Sequence, residues 1–377
     1  MANRLKRLDK VVTLQRGFDL PSNARKWGDV PIVASTGVNG WHNEAKVKGP
    51  GVVIGRSGSI GGGQYIQRDF WPLNTTLWAK DFQGNLPRYV YYLLKSIDFS
   101  GFNAGAGVPT LNRNHIASLL VVDHEIEQQK SINDILSAYD DLIENNRRRI
   151  GLLEDAARQL YKEWFVRFRF PGHDHVKIIG GVPEGWEVVT YHDVFEFLGG
   201  FAFKSSTYVD DGKYGIVTIK NVHDGRFVPD CSSRVADIPQ KMNSHCELKT
   251  GDILLSLTGN VGRACVVYGE GLLLNQRVAK IVGRTGIPDS FTYWTFSNPE
   301  TQRELENLAF GVAQLNLSPV KLAARRFVRP PRPLLEGFAD FADGLYNQII
   351  KLNQSVAELA KARDLLLPRL MNGSLTV

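Results

Sequence analysis

Several stretches of this 377-residue chain carry residue types that could support catalysis, and each falls short of the reaction it suggests. A base-holding loop of an aminomethyltransferase needs an amide or carboxylate before its prolines and an aromatic ring behind them. The Pro-Pro pair here stands in Arg329-Pro330-Pro331-Arg332, which has neither. Phe102-Asn-Ala-Gly105-Ala-Gly107 is glycine-rich but runs into Val108-Pro109-Thr110, which opens no helix for a cofactor phosphate. Gly55-Arg-Ser-Gly58-Ser-Ile-Gly61-Gly-Gly63 lacks the Gly-Lys-Ser/Thr ending of a P-loop. It reads as a tight turn between strands that brings the backbone close to a ligand or neighbour. Asp29 with Glu44-Ala-Lys46 makes only a loose metal-nuclease pattern, and His173-Asp-His175 has no metal-ligand spacing around it. No Gly-x-Ser-x-Gly elbow occurs. Independent catalysis is not expected of this chain.

Charge and composition narrow the class further. Lysine and arginine number 45 against 39 aspartates and glutamates, a net charge of +6 with pI near 9.1, compatible with a polyanionic partner. Cys231, Cys246 and Cys265 cannot build a disulfide framework, which fits a reducing compartment. The charged opening Met1-Ala-Asn-Arg-Leu-Lys-Arg has no apolar stretch behind it and is not a signal peptide, and no run reaches the roughly 18 apolar residues of a membrane span. The expectation is a soluble, cytoplasmic protein of two or three domains.

The elements that must position any binding residues occur twice. Leu14-Gln-Arg-Gly17-Phe18 reappears as Leu198-Gly-Gly200-Phe201, and Val52-Val-Ile-Gly-Arg-Ser-Gly58 as Ile253-Leu-Leu-Ser-Leu-Thr-Gly259. Asn74-Thr-Thr-Leu pairs with Asn275-Gln-Arg-Val, Gly107-Val-Pro-Thr-Leu111-Asn112 with Gly311-Val-Ala-Gln-Leu315-Asn316, and Ile143-Glu-Asn-Asn146 with Ile350-Lys-Leu-Asn353. The five matches are collinear, so the chain is a tandem repeat. The first part of each repeat, up to about 123 and again from about 183 to 329, is short β-rich runs broken by Gly, Pro and Asn.

The second part is helical. Ile132, Leu136, Tyr139, Ile143, Asn146, Ile150, Leu153, Ala157, Leu160 and Trp164 follow a 4-3-4-3 spacing closed by Pro171-Gly172. Leu345, Ile349, Leu352, Val356, Leu359, Arg363, Leu366 and Leu370 form a second seam, with a register uncertain by about one residue. A helix of roughly 50 Å with one apolar stripe needs a partner, so the two are expected to pack on each other. Asn146 sits in the seam, where a buried amide fixes register; the alternative is a partly exposed residue near a bend. Arg147-Arg148-Arg149 reads as a solvated helix face.

With these residues in view, the chain resembles the DNA-specificity subunits of type I restriction–modification systems. The resemblance is carried by the tandem arrangement, the Gly17-Phe18 and Gly200-Phe201 openings, and Glu127-Gln128-Gln129-Lys130 leading into Ile135-Leu-Ser-Ala-Tyr-Asp-Asp-Leu-Ile143. Asn145 to Ile150, Tyr161 to Phe165, Leu366 to Gly373, and the block from Gly40-Trp-His-Asn-Glu44 to Asn74-Thr-Thr-Leu-Trp78 add to it. The second helix departs from the pattern, because Leu334-Leu-Glu-Gly-Phe-Ala lacks the Glu-Gln run.

The resemblance implies an α+β fold with two globular target-recognition domains, at 1–123 and 171–329, separated by long antiparallel coiled-coil helices at 124–170 and 330–377, in a pseudo-twofold tandem repeat. It implies a non-catalytic subunit that reads a bipartite site in double-stranded DNA, one half per domain. Such a subunit docks two modification (methyltransferase) subunits and two restriction subunits, and S-adenosylmethionine, ATP and magnesium belong to those partners. Half-sites read from one face should lie about one helical turn apart. The competing class is a non-catalytic assembly scaffold whose tandem domains bind protein.

Arg and Lys suit guanine or phosphate, whereas Asn and Gln suit adenine. By that chemistry the first-repeat candidates are Lys46, Arg56, Ser57, Asn74, Asn112 and Arg113. Those of the second repeat are Lys204, Lys220, Thr258, Asn260, Arg263, Gln276, Arg277, Gln314 and Asn316. Each also fits a solvated surface or a turn-stabilising role.

Overall fold

Short apolar runs such as Val52-Val53-Ile54, buried in every residue, are too brief for helices and pair as interior strands. The computed structural model describes residues 4–309 and 316–377. In the first part of the chain, β1 (Thr13–Arg16), β2 (Val30–Ala34), β3 (Gly37–His42), β4 (Gly51–Gly55), β5 (Gly61–Ile66), β6 (Trp71–Pro72) and β7 (Thr76–Asp81) form two sheets. One has the order β1-β7-β4-β5, and the other is β3-β2-β6. The β2–β6 pair is parallel. Helix α1 (Pro87–Ser96) starts with proline at its first position, where the missing N–H is no loss. The buried amide of Gln129 accepts the Leu86 N–H at 3.0 Å and donates to Asn85 and to the His124 carbonyl.

The long helix α2 (Ile126–Tyr161) follows. It ends in a wide turn, Lys162–Val166, rather than continuing to Trp164 as the spacing suggested. The extra residue in that turn rotates the chain so that Trp164 and Phe165 both enter an aromatic cluster with Phe338.

Later strands are β8 (Phe195–Gly199), β9 (Tyr214–Val217), β10 (Arg234–Val235), β11 (Glu247–Leu248), β12 (Ile253–Ser256), β13 (Ala264–Val266), β14 (Leu272–Leu274) and β15 (Val278–Gly283). The first sheet here runs β8-β15-β12-β13 and the second β10-β9-β14-β11, with β9 and β14 parallel. Helix α3 (Asp289–Ser297) is buried along nearly its whole length, and its Phe291 packs on Phe195 and Phe338. The three cysteines are unpaired and buried, and burial pushes the Cys231 thiol up to about 11, so they act as small apolar groups.

Helix α4 (Arg332–Met371) starts directly after Pro330-Pro331. Its first half corrects the expected seam. Leu335, Phe338, Ala342, Tyr346 and Ile349 are buried, whereas Leu345 is only half-buried at the margin. The one-residue shift has a cause: the Tyr346 hydroxyl donates to the Gly251 carbonyl at 2.9 Å and its ring meets Tyr293. In α2, Ile132, Leu136, Ile143 and Asn146 are buried, while Tyr139, Ile150 and Leu153 are half-buried. Tyr161 replaces Leu160 as the inward residue. Leu352 is buried, and Val356 and Leu359 flank the seam half-exposed.

Two compact units emerge, one of residues up to Ile143 with Glu358–Val377 and one of Glu144–Ala357. Within each, α2 and α4 run antiparallel. In the first unit Ile132 and Leu136 share a core with Leu367 and Leu370, and Asp140 pairs with Arg363 at 2.6 Å while accepting the Tyr92 hydroxyl. In the second, Asn146 meets Ser355, and Tyr161 meets Phe338 farther along. Among the described residues no helix is long and apolar enough to cross a membrane.

Candidate nucleic-acid interface

Each unit draws four segments that are distant in sequence into one corner of its first sheet. The chain leaves β1 through Gly17-Phe18 and β8 through Gly200-Phe201. Phe18 then bridges Leu73 in parallel, as Phe201 bridges Asn275. The approach is too close for any side chain. A Cβ on Gly17 would lie 2.2 Å from the Leu73 carbonyl oxygen, and one on Gly200 would lie 2.2 Å from that of Asn275. This contact is the physical reason for the Gly-Phe openings.

The glycine turns are the third component. The Arg56 and Ser57 N–H groups both donate to the Thr75 carbonyl, and Leu257 N–H donates to that of Arg277. Gly58 and Gly259, at φ +82° and +72°, turn the chain in the left-handed region. The fourth segment then closes on each turn: Ser57 bridges Thr110, Thr258 bridges Asn316, and the N–H groups of Leu111 and Leu317 donate to Arg56 and Leu257.

These contacts correct two expected pairings. The residue equivalent to Asn275 is Leu73, so Asn74 corresponds to Gln276. Leu111 corresponds to Leu317 rather than Leu315, and Thr110 to Asn316. Asn112 therefore matches Ser318, and both stand at the N-cap of a short helix, Arg113–Ile116 and Pro319–Ala323. Asn112 uses its side chain there to accept the Asn114 N–H, a capping role that occupies its carbonyl oxygen.

In the first unit the arrangement gathers cations. Arg16, Arg56 and Arg113 line a cavity of about 330 Å³ with Thr110 and Asn112. Arg56 donates to the Asn74 carbonyl and Arg113 to that of Leu14, which fixes their guanidinium groups and leaves other N–H donors uncommitted. Asn74 donates its amide to Asp19, which also lies 3.8 Å from Arg16. Lys46 stands elsewhere, paired with Glu44 at 2.5 Å and lying over the Trp71 ring. Arg16 was not among the expected residues, although its place directly before Gly17 was a usable signal.

In the second unit Thr258, Asn260, Gln276, Arg277 and Asn316 come together, and all but the half-buried Thr258 are exposed. The Thr258 hydroxyl is buried and has no hydrogen-bond partner among the described residues. Lys220 is exposed on a loop whose Ile219 packs beside Gly259, and Lys204 is exposed just past Phe201 and Phe203. Arg263 is half-buried, with its N–H on the Ser256 hydroxyl. Gln314 lies outside the described residues.

Clusters of Arg, Asn, Gln and Thr at the two corners suit hydrogen bonding to a polyanion and to base edges. The family model described as "Type I restriction modification DNA specificity domain" matches residues 183–354. The specificity subunit of type I restriction enzyme MjaIX from Methanocaldococcus jannaschii is 26% identical over 313 residues, covering 78% of this chain and 70% of that protein. The HindI specificity subunit from Haemophilus influenzae is 22% identical over 360 residues, covering 77% and 78%. The crystal structure of a type I restriction–modification S subunit from M. genitalium superposes over 98% of this chain and 96% of its own. Its TM-score is 0.62 at 16% identity, a likeness of fold.

Proposed function

We propose that this chain, which belongs to the family of type I restriction–modification specificity subunits, reads a split site in double-stranded DNA, one half with each unit. The observation that supports this most is the doubled corner, in which Gly-Phe opening, glycine turn, post-strand loop and late segment meet twice with different polar residues. The same frame with different side chains is what two half-sites of different sequence require.

In this reading the chain is the non-catalytic member of the complex. It docks two modification subunits, which bring S-adenosylmethionine, and two restriction subunits, which bring ATP and magnesium. The two units stand as a pseudo-twofold pair of target-recognition domains, and α2 with α4 is the coiled-coil spacer between the half-sites. Recognition then takes place where the DNA is, in the cytoplasm.

Sequencing modified adenines in the source genome with and without this gene tests the reading. The expected result is a split motif that disappears with the gene. A protein-binding scaffold would leave the methylation pattern unchanged. Its affinity for duplex would also lack the fall with rising salt that phosphate contacts impose.

A further inference from the structure

Trp27 is 97% exposed, an unusual position for the largest apolar side chain. Its loop is nevertheless held in place. The Lys26 N–H donates to His42 Nδ1 at 3.0 Å, and a Cβ on Gly28 would lie 2.4 Å from the His42 carbonyl oxygen. Trp27 is thus presented by backbone laid against the end of β3.

That strand is the open edge of the β3-β2-β6 sheet, and Asn39, Gly40 and Trp41 along it are exposed. The Arg68 guanidinium lies over the Trp41 ring, 5.4 Å from its centroid, and Arg25 holds the Asn39 carbonyl at 2.9 Å. Lys26 directly precedes Trp27 and, like Arg25 and Arg68, has no salt bridge among the described residues, although Glu44 lies within its electrostatic reach. At the other end of the hairpin, Gln64 donates to the Ala34 carbonyl, and Ser35 lies beside Gly58 of the glycine turn. The edge therefore continues the face already assigned to DNA.

We infer that the β3 edge and the Trp27 loop form a base-contacting surface for the first unit's half-site, an inference that rests on the function proposed above. Asn39 offers an amide of the kind that pairs with an adenine edge. Trp27 and Trp41 offer apolar faces to thymine methyl groups or exposed base faces, and the flanking cations reach phosphates. Partner chemistry follows from charge: an aromatic edge set among unpaired cations suits a polyanion. In the second unit the tryptophans Trp164, Trp186 and Trp294 are all buried.

The test is selection from a duplex library with a randomised centre, using the purified full chain and its Trp27→Ala/Trp41→Ala double variant. Wild type should enrich a split motif. The double variant should enrich a motif in which one half loses definition and the other persists, with at least ten-fold weaker binding to the wild-type winners. Trp41→Phe, which keeps a ring beneath Arg68, should retain most of that affinity. An unchanged motif from the double variant would overturn the inference. So would equal loss of both halves, or an unchanged motif with loss of a co-purifying protein. If wild type enriches no split motif, the proposed function itself fails, a result distinct from any of these.

Discussion

Asn146 on α2 donates its side-chain amide to the Ser355 hydroxyl on α4 at 3.3 Å, from a position only 8% exposed. Of the two readings open for this residue, the structure has the buried one. A buried polar pair in a helix seam is satisfied in one register and orphaned in the others. Asn146→Ala is expected to lower stability by about 1–2 kcal/mol and Ser355→Ala by about 1 kcal/mol or less. The double variant should lose less than the sum of the two. Urea denaturation of all four proteins measures the coupling.

Gly200 and Gly344 should respond in opposite directions to the same substitution. In Gly200→Ala the new methyl meets the Asn275 carbonyl, and relief would break the bond from Phe201 N–H to Leu274. A loss of about 3 kcal/mol or more is expected. Gly344 lies within α4 with open space around it, so Gly344→Ala should gain about 0.5–1 kcal/mol. Thermal melts of the two variants, shifted down and up, check the pair.

Burial raises the Glu154 carboxyl to about 7, with Arg158 opposing and Asp224 and Asp155 adding to the rise. Arg158 is itself paired with Asp155 at 3.1 Å. Between its ordinary value of 4.5 and about 7, the folded chain holds a proton that the unfolded chain has released. Stability therefore falls as pH rises through that window, by about 3 kcal/mol, and stays lower above it. Glu154→Gln should flatten the slope, read by denaturation at pH 5, 6, 7 and 8.

Gln276 and Arg277 are exposed at the second unit's corner, and their side chains are free of the backbone contacts that anchor the turn. Gln276→Ala with Arg277→Ala should relax one half of the methylated motif and leave the other intact. Each lost base contact should weaken binding by about 1–3 kcal/mol. Methylome sequencing of the variant decides it, and a change in both halves would contradict one half per unit.

Helix length should control the unread spacer. A four-residue insertion near Arg148, matched by one near Gln354, adds about 6 Å and nearly preserves rotational phase. The spacer should grow by one or two base pairs, since each duplex step rises about 3.4 Å. An unchanged spacer in an active complex would mean that the helices do not set the distance.

The helix seam was legible because its 4-3-4-3 spacing is local. Tyr346 was not, since the choice between it and Leu345 is made by Gly251, 95 positions away. The repeat could be read in its glycines, whose need is set by backbone geometry. Its later pairings slipped by one or two residues, because Leu317 is identified only by its bond to Leu257. Arg56 could be singled out by its chemistry beside a glycine turn. For Asn112 the sequence left base contact and turn stabilisation both open, because a four-residue helix is too short to announce the cap it needs.

The first unit is assembled from two segments far apart in the chain. Leu367, Leu370 and Met371 sit in the same core as Leu14, Val52 and Ile132, while the second unit is made from one uninterrupted stretch. A ribosome therefore delivers everything the second unit needs before it delivers the helix that closes the first. The half begun earlier is the half finished later, and its apolar floor stays open through the synthesis of more than two hundred intervening residues. Translation halted between Ala357 and Leu367 would release a chain with its second unit whole and its first unit unsealed.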